Sequence, residues 1–259
     1  MTAVASPLPR TFGGVPLADR PSLLRLARVE LRKAVDTRAG MWLLIVTALA
    51  VVALVVITLA AGKADDQSWG SMFAGTQWVA SMLVPVIGIL LVTSEWSQRT
   101  ALTTFSMVPN RHRAIAAKAI AAIALAIVVV LICLILSAVA AAIGSAPDPW
   151  DLALADVGTG ALYAGATVLI GLAFGLALMS SPLAIVVYFA LPTVWSILAE
   201  AVNALDGVAN WLELGRTMEP LVEGGVSGTE WARAGTSLLL WLGVPLVLGL
   251  VRLSRHEVK

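Results

Sequence analysis

Few side chains in this chain of 259 residues could do covalent chemistry, and none stands in a pattern that would. There are two histidines, His112 and His256, and one cysteine, Cys133. His112 lies in a basic stretch and His256 in a charged tail, so neither reads as a metal ligand or a general base. No GxxxxGK[ST] phosphate loop and no HExxH zinc helix is present. The adjacent hydroxyls of Ser180 and Ser181 have no neighbouring histidine or lysine to activate them as nucleophiles. A single cysteine gives neither a disulfide framework nor a cysteine metal site. The sequence therefore offers no catalytic, cofactor-binding or metal-binding set. Two acids, Asp156 and Glu200, border long apolar stretches. Such acids mark ion paths when they lie deep in a membrane and are ordinary hydrated ends when they lie at its rim.

The elements that would position any site are apolar. Runs at 41–61, 72–93, 119–143, 157–179, 183–199 and 235–251 contain no Asp, Glu, Lys or Arg. Crossing the hydrocarbon core takes about 20 apolar residues, and a charge at mid-span costs roughly 2.5–3.5 kcal/mol. The first four runs meet that length. The last two are shorter and contain Pro192 and Pro245. Hydrophobic residues make up 59% of the chain and charged residues 13%, against about 25% charged in a soluble domain. The fold expected is an all-α integral membrane protein of six spans, at 41–61, 72–93, 114–143, 155–179, 183–202 and 234–253. No apolar core precedes residue 41, so no cleavable signal peptide is expected.

Charge sets the orientation. With both termini in the cytosol, the inner segments hold 14 of the 17 Lys and Arg and only five acids. The positive-inside rule favours that arrangement. Trp42 and Trp96 then fall at inner ends, and Trp69, Trp150, Trp211 and Trp231 at outer ends, where amphipathic rings prefer to lie. Net charge is +1, so no field points to a nucleic-acid partner.

Three segments between the spans carry pattern. Residues 1–20, rich in Pro and Gly, read as a flexible tail, and 254–259 as a cytosolic tail. The segment 21–40 reads as an amphipathic interfacial helix. Leu23, Leu24, Ala27, Leu31, Ala34 and Val35 share one arc, with Arg25, Arg28, Arg32, Lys33 and Asp36 opposite. Its apolar face is expected in lipid and its cations among anionic headgroups, and Gly40 is expected to turn the chain into the first span. The segment 94–113 is long for a turn and could form one helix over 98–108. Its Leu102, Phe105 and Met107 would meet either a partner or the membrane surface. The segment 202–233 reads either as two short helices at the outer interface or as a solvated loop. Gly171 and Gly175 form a GxxxG element for close helix packing, within the chain or between copies.

After the second run come Glu95, Thr100, Pro109-Asn110-Arg111 and then Lys118. The leading helix carries Glu30-x-x-Lys33 and a trailing Arg38. In this order and topology the chain, from about residue 21 to its end, resembles the permease subunits of ABC-2 type ABC transporters. It departs at Arg99, where many members have glycine. The resemblance implies a transporter of two permeases, identical or paralogous, and two copies of a separate ATPase subunit that binds ATP and Mg. A coupling helix would dock on the ATPase through Glu95, Arg99, Thr100, Leu102, Thr103, Phe105, Pro109 and Arg111. Arg25, Arg28, Glu30, Arg32 and Lys33 would form the interfacial helix. The pathway would run between protomers along spans one, two and five, past Trp78, Met82 and Trp195, and would suit a hydrophobic or amphiphilic molecule. A re-entrant outer element with Trp211, Leu212 and Trp231 would gate it, and Pro192 would let the outer half of span five move. An ion-coupled carrier and a non-transporting scaffold are the competing readings.

Overall fold

The computed structural model describes residues 22–97 and 111–255. The described residues are almost wholly helical, with no strand among them. Helices are numbered in chain order: α1 Leu23–Asp36, α2 Arg38–Ala61, α3 Trp69–Ser97, α4 Arg111–Ile143, α5 Leu154–Leu178, α6 Ser181–Ala201, α7 Asp206–Leu212, α8 Leu214–Glu223, α9 Gly228–Leu238 and α10 Val244–Arg255. A π turn, Leu239–Gly243, joins α9 to α10 without interruption. Six helices are long and apolar enough to cross a membrane: α2, α3, α4, α5, α6 and the continuous stretch Gly228–Arg255.

Helices α3, α4 and α5 pack against one another, and α2, α6 and α10 lie around them. Side chains absent at close crossings set this centre. A Cβ on Gly171 of α5 would collide with the Pro85 carbonyl of α3, and one on Gly88 of α3 with the Val168 carbonyl of α5. The GxxxG element therefore serves packing within the chain. Thr93 Oγ1 and Ser181 Oγ, 2.6 Å apart, tie α3 to the start of α6. Arg252 donates to the Ala177 carbonyl at 2.8 Å and ties α10 to the end of α5. The outer helices are bare by comparison. Only 11% of the apolar window of α2 and 17% of that of α6 is buried, as expected of helices apolar all round whose remaining faces meet lipid or another subunit.

Three expectations are corrected. The chain does not turn at Gly40. It breaks at Thr37, which is extended (φ −76°, ψ 139°), ends α1, and caps α2 by accepting the Gly40 N–H at 3.2 Å. Gly40 is needed one turn later because a Cβ there would run into the Ala34 carbonyl. Pro192 does not break its span, and α6 runs through it as one helix. The last span also begins well before its apolar run, at Gly228. Ser227 accepts the Glu230 N–H while the Glu230 carboxylate accepts the Ser227 N–H at 2.6 Å. This reciprocal cap satisfies two donors that a helix start would otherwise leave bare.

The segment after α6 folds as packed helices rather than a solvated loop. Met218, Leu221 and Val222 of α8 are buried against Tyr163 of α5 and Ala234 of α9. Glu213, between α7 and α8, is itself buried and accepts the N–H groups of Gly215 and Arg216 at 3.0 and 2.7 Å. Trp241, in the π turn, donates its indole N–H to the Leu212 carbonyl at 2.8 Å. The Glu213 and Trp241 contacts answer end-of-helix polar groups that could not stay unpaired beside apolar surroundings.

Candidate functional site

Among the described residues, the strongest concentration of buried charge lies where α1 meets the ends of α3 and α4. Lys118, on the second turn of α4, is 4% exposed. Its ammonium donates to Glu30 Oε2 at 2.6 Å, Glu95 Oε1 at 3.0 Å and the Leu91 carbonyl at 2.9 Å. Lys33 closes the group from the water side, 2.8 Å from Glu30 Oε1 and 3.7 Å from Glu95 Oε1. Two cations and two carboxylates thus cancel. An ammonium has three donor positions, and here each finds an oxygen.

Local sequence explains the placement. Glu30 sits on α1 between Ala27 and Ala34, and both alanines face the bundle. Those small neighbours let α1 approach α4 closely enough for the carboxylate to reach Lys118. Glu95 and Leu91 are one turn apart on α3, so their oxygens face the same ammonium. Burial alone would push the Glu30 carboxyl up. The Lys118 charge and hydrogen bond, with those of Lys33, outweigh it and hold the group below its ordinary value. Lys33 moves the other way: burial works to lower it, but Glu30 and then Glu95 raise it above the usual lysine value.

One reading of α1 changes and one gains a detail. Lys33 is exposed with the outward cations, but its ammonium reaches back one turn to Glu30 at 2.8 Å. The apolar face is also not simply in lipid, since Ala27 is buried and Leu31 and Ala34 pack onto the main core. Arg25, Arg28 and Arg32 are exposed as expected. Periodicity alone did not single out Glu30, yet an acid flanked at −3 and +4 by alanines on the inward face is a legible sign of a buried partner. Glu95 and Lys118 had no such local mark, because they meet each other across 23 positions of sequence and Lys118 meets Glu30 across 88.

The other expected site residues fall in three places. Arg99, Thr100, Leu102, Thr103, Phe105 and Pro109 lie outside the described residues, and of Arg111 only the helical backbone at the start of α4 is described. Trp78 and Met82 are 39% and 59% exposed on α3, which packs against both α2 and α6. They continue the face of Ser71 and Gly75, which with Leu54, Ile57 and Thr58 of α2 line an open cavity of about 300 Å³. Trp195 of α6 is half-buried, and its indole nitrogen is buried without a hydrogen-bond acceptor. At the far end of the bundle, the Arg233 guanidinium stands 5.9 Å from the centre of the Trp211 ring, a cation–π spacing. Trp231 is exposed and Leu212 half-buried. Asp156 receives the Ala153 N–H at 3.2 Å and caps α5, while Glu200 is exposed. Neither lies at mid-span.

No protein-family model matches the chain, and no curated protein matches it either.

Proposed function

We propose that this chain is the membrane-spanning permease subunit of an ATP-driven transporter of the ABC-2 type, exporting a hydrophobic or amphiphilic compound such as a drug, antibiotic or lipid. The observation that carries the reading is the charge cluster. The residues on which the resemblance rests at the two ends of the pattern, Glu30 and Lys33 on α1, Glu95 on α3 and Lys118 on α4, meet at one point. That point is the root of the segment 98–110, the expected docking element. A push on the segment would reach α1, α3 and α4 together through bonded contacts.

In this reading the α1 end faces the cytosol, both termini are cytosolic, and the protein resides in the cell membrane. ATP and Mg bind the two partner ATPase subunits, and this chain performs no covalent chemistry. The bare apolar faces of α2 and α6, with Trp78 and Met82 between them on α3, support a pathway shared with a second permease copy or paralogue. Packing of α7 and α8 onto α5 and α9 supports an outer gate at Trp211, Leu212 and Trp231, since an export route needs a seal while idle.

The test is replacement of Phe105 by Asp in the full-length protein, expressed together with candidate ABC ATPase subunits from the same organism. A carboxylate forced into an apolar contact carries a desolvation cost. The ATPase should co-purify poorly or lose its dependence on the permease. Unchanged association and transport would remove the coupling role, and failure of any ATPase to associate with the wild type would favour a carrier or scaffold.

A further inference from the structure

The cavity between α2 and α3 lies at the end of the bundle away from the charge cluster, where α2 finishes and α3 begins. Its volume of about 300 Å³ is at the low end of small-molecule sites, about 300–1,000 Å³. One wall is α2 from Leu54 to Ala61, a length of about 10 Å at the helical rise. The other is Met72 and Gly75 of α3. The glycine makes the room. A Cβ on Gly75 would stand 3.3 Å from Leu54 Cδ2, so a longer side chain there would occupy the space between the helices. Charge enters at one end only. Asp66, in the turn Asp65–Gln67, is the one charged residue among those described that line the cavity. Its Oδ2 accepts the Lys63 N–H at 3.3 Å, and no cation among the described residues lies within ion-pair distance of it. Asp206 and Glu213, by contrast, both pair with Arg216.

We propose that this cleft binds a cationic amphiphile, an alkylammonium whose charged head meets Asp66 and whose apolar body lies between Leu54 and Gly75. The chemistry excludes the neighbouring classes. A phospholipid would bring its phosphate beside Asp65 and Asp66, where no cation lines the cleft to hold it. A bare divalent ion needs about six oxygen ligands, and an apolar cleft with one carboxylate cannot supply them. An ammonium on an apolar stem satisfies both ends, and the carboxylate gives it a charge-assisted hydrogen bond. Entry is sideways, since Ile57 on the α2 wall is 63% exposed. Ser71, Gly75, Trp78 and Met82 follow one another along a single face of α3, so the cleft leads onto the face proposed for the pathway. The inference deepens the proposed function by giving the sign of the cargo's charge. It rests on that reading for transport and not for binding.

The experiment measures saturable binding of radiolabelled octylammonium to the purified full-length protein in phosphatidylcholine nanodiscs, with empty nanodiscs subtracted and no ATPase present. Octanol and octanoate, which share the chain and differ in charge, serve as competitors. Octylammonium should compete about fivefold better than octanol, the weight of one ion pair at a site open to water, and octanoate should be weakest. Asp66→Asn should lower octylammonium affinity about fivefold on the same basis and erase its advantage over octanol. Glu219→Gln, an exposed acid outside the cleft, should change neither. Gly75→Leu should remove saturable binding of octylammonium and octanol alike, with folding checked by thermal unfolding. The proposal is overturned if no saturable component exceeds the empty nanodiscs, or if octanol binds as tightly as octylammonium. It is also overturned if Asp66→Asn keeps the charge preference, a test that holds even should Gly75→Leu fail to fold. A phosphatidylethanolamine that co-purifies in the cleft and resists octylammonium would overturn it in favour of a structural lipid. Absence of an ATPase partner would sink the transport reading and leave these binding results unchanged.

Discussion

Replacing Lys118 by Met tests the cluster most directly. The substitution keeps the length and apolar stem of the side chain but removes the ammonium held by Glu30 Oε2 at 2.6 Å, Glu95 Oε1 at 3.0 Å and the Leu91 carbonyl at 2.9 Å. Two carboxylates, 8% and 7% exposed, would then face each other. Lys33 would remain beside them, with its side chain 49% exposed and 3.7 Å from Glu95. An ion pair that open to water contributes at most about 1 kcal/mol. Stranding a buried charge costs about 3–5 kcal/mol. At about 2–4 °C per kcal/mol for a chain of this size, the unfolding temperature should fall by roughly 6–20 °C. The assay is thermal unfolding followed by tryptophan fluorescence in phosphatidylcholine nanodiscs. Glu30→Gln and Glu95→Gln added to Lys118→Met should restore most of the loss, because a neutral site strands no charge. A Lys118→Met protein within about 2 °C of wild type, on the same scale, would refute the reasoning. A triple variant no better than the single one would refute it as well.

Acidification should act on the same group. The depressed Glu30 carboxyl contributes stability that is fully present above its ordinary value of 4.5 and is lost as pH falls through its lower folded value. Acid unfolding curves of wild type and Glu30→Gln should therefore differ in slope only below that ordinary value. Gly171→Ala should destabilise by about 1–3 kcal/mol through overpacking, because its Cβ meets the Pro85 carbonyl. Gly165→Ala on the same helix, with nothing within 4 Å, should be neutral or slightly stabilising, and equal thermal shifts for both would contradict the close crossing. In a Cys133→Ser background, single cysteines at Lys63, Asp148 and Glu219 should react with an impermeant maleimide outside intact cells. Those at Arg111 and His256 should react only after permeabilisation, and outside labelling at Arg111 would overturn the proposed orientation.

Much of the fold was legible because membrane insertion is a local property. An uncharged run about 20 residues long identifies itself, and all six were found. What failed lay at the ends, where hydropathy gives way to capping. Ser227-Gly-Thr-Glu230 is a capping-box sequence, and reading it would have started the last span at Gly228 rather than at the apolar run. Pro192 was given too much weight as a breaker, because a helix already buried in lipid has no better state for the freed carbonyl to adopt. The cluster was visible only as residues in a loose pattern. Pairing Glu30 with Lys118, 88 positions apart, is a tertiary fact that neither periodicity nor propensity contains. Lys33 keeps to the exposed side that its helical angle suggests and still reaches Glu30, because residues three apart on a helix are neighbours.

The separation of Glu30 from Lys118 also imposes an order on biogenesis. At synthesis rates of about 5–20 residues per second, the 88 positions between them take roughly 4–18 s to emerge. During that interval Glu30 and then Glu95 must wait at the water boundary, hydrated and without their main counter-ion. Only when α4 has been threaded can Lys118 withdraw both acids from water and lock the preceding helices in place. A nascent chain stalled before α4 would hold Glu30 and Glu95 without the ammonium that buries them, and the first three helices without the tie that joins them to the fourth.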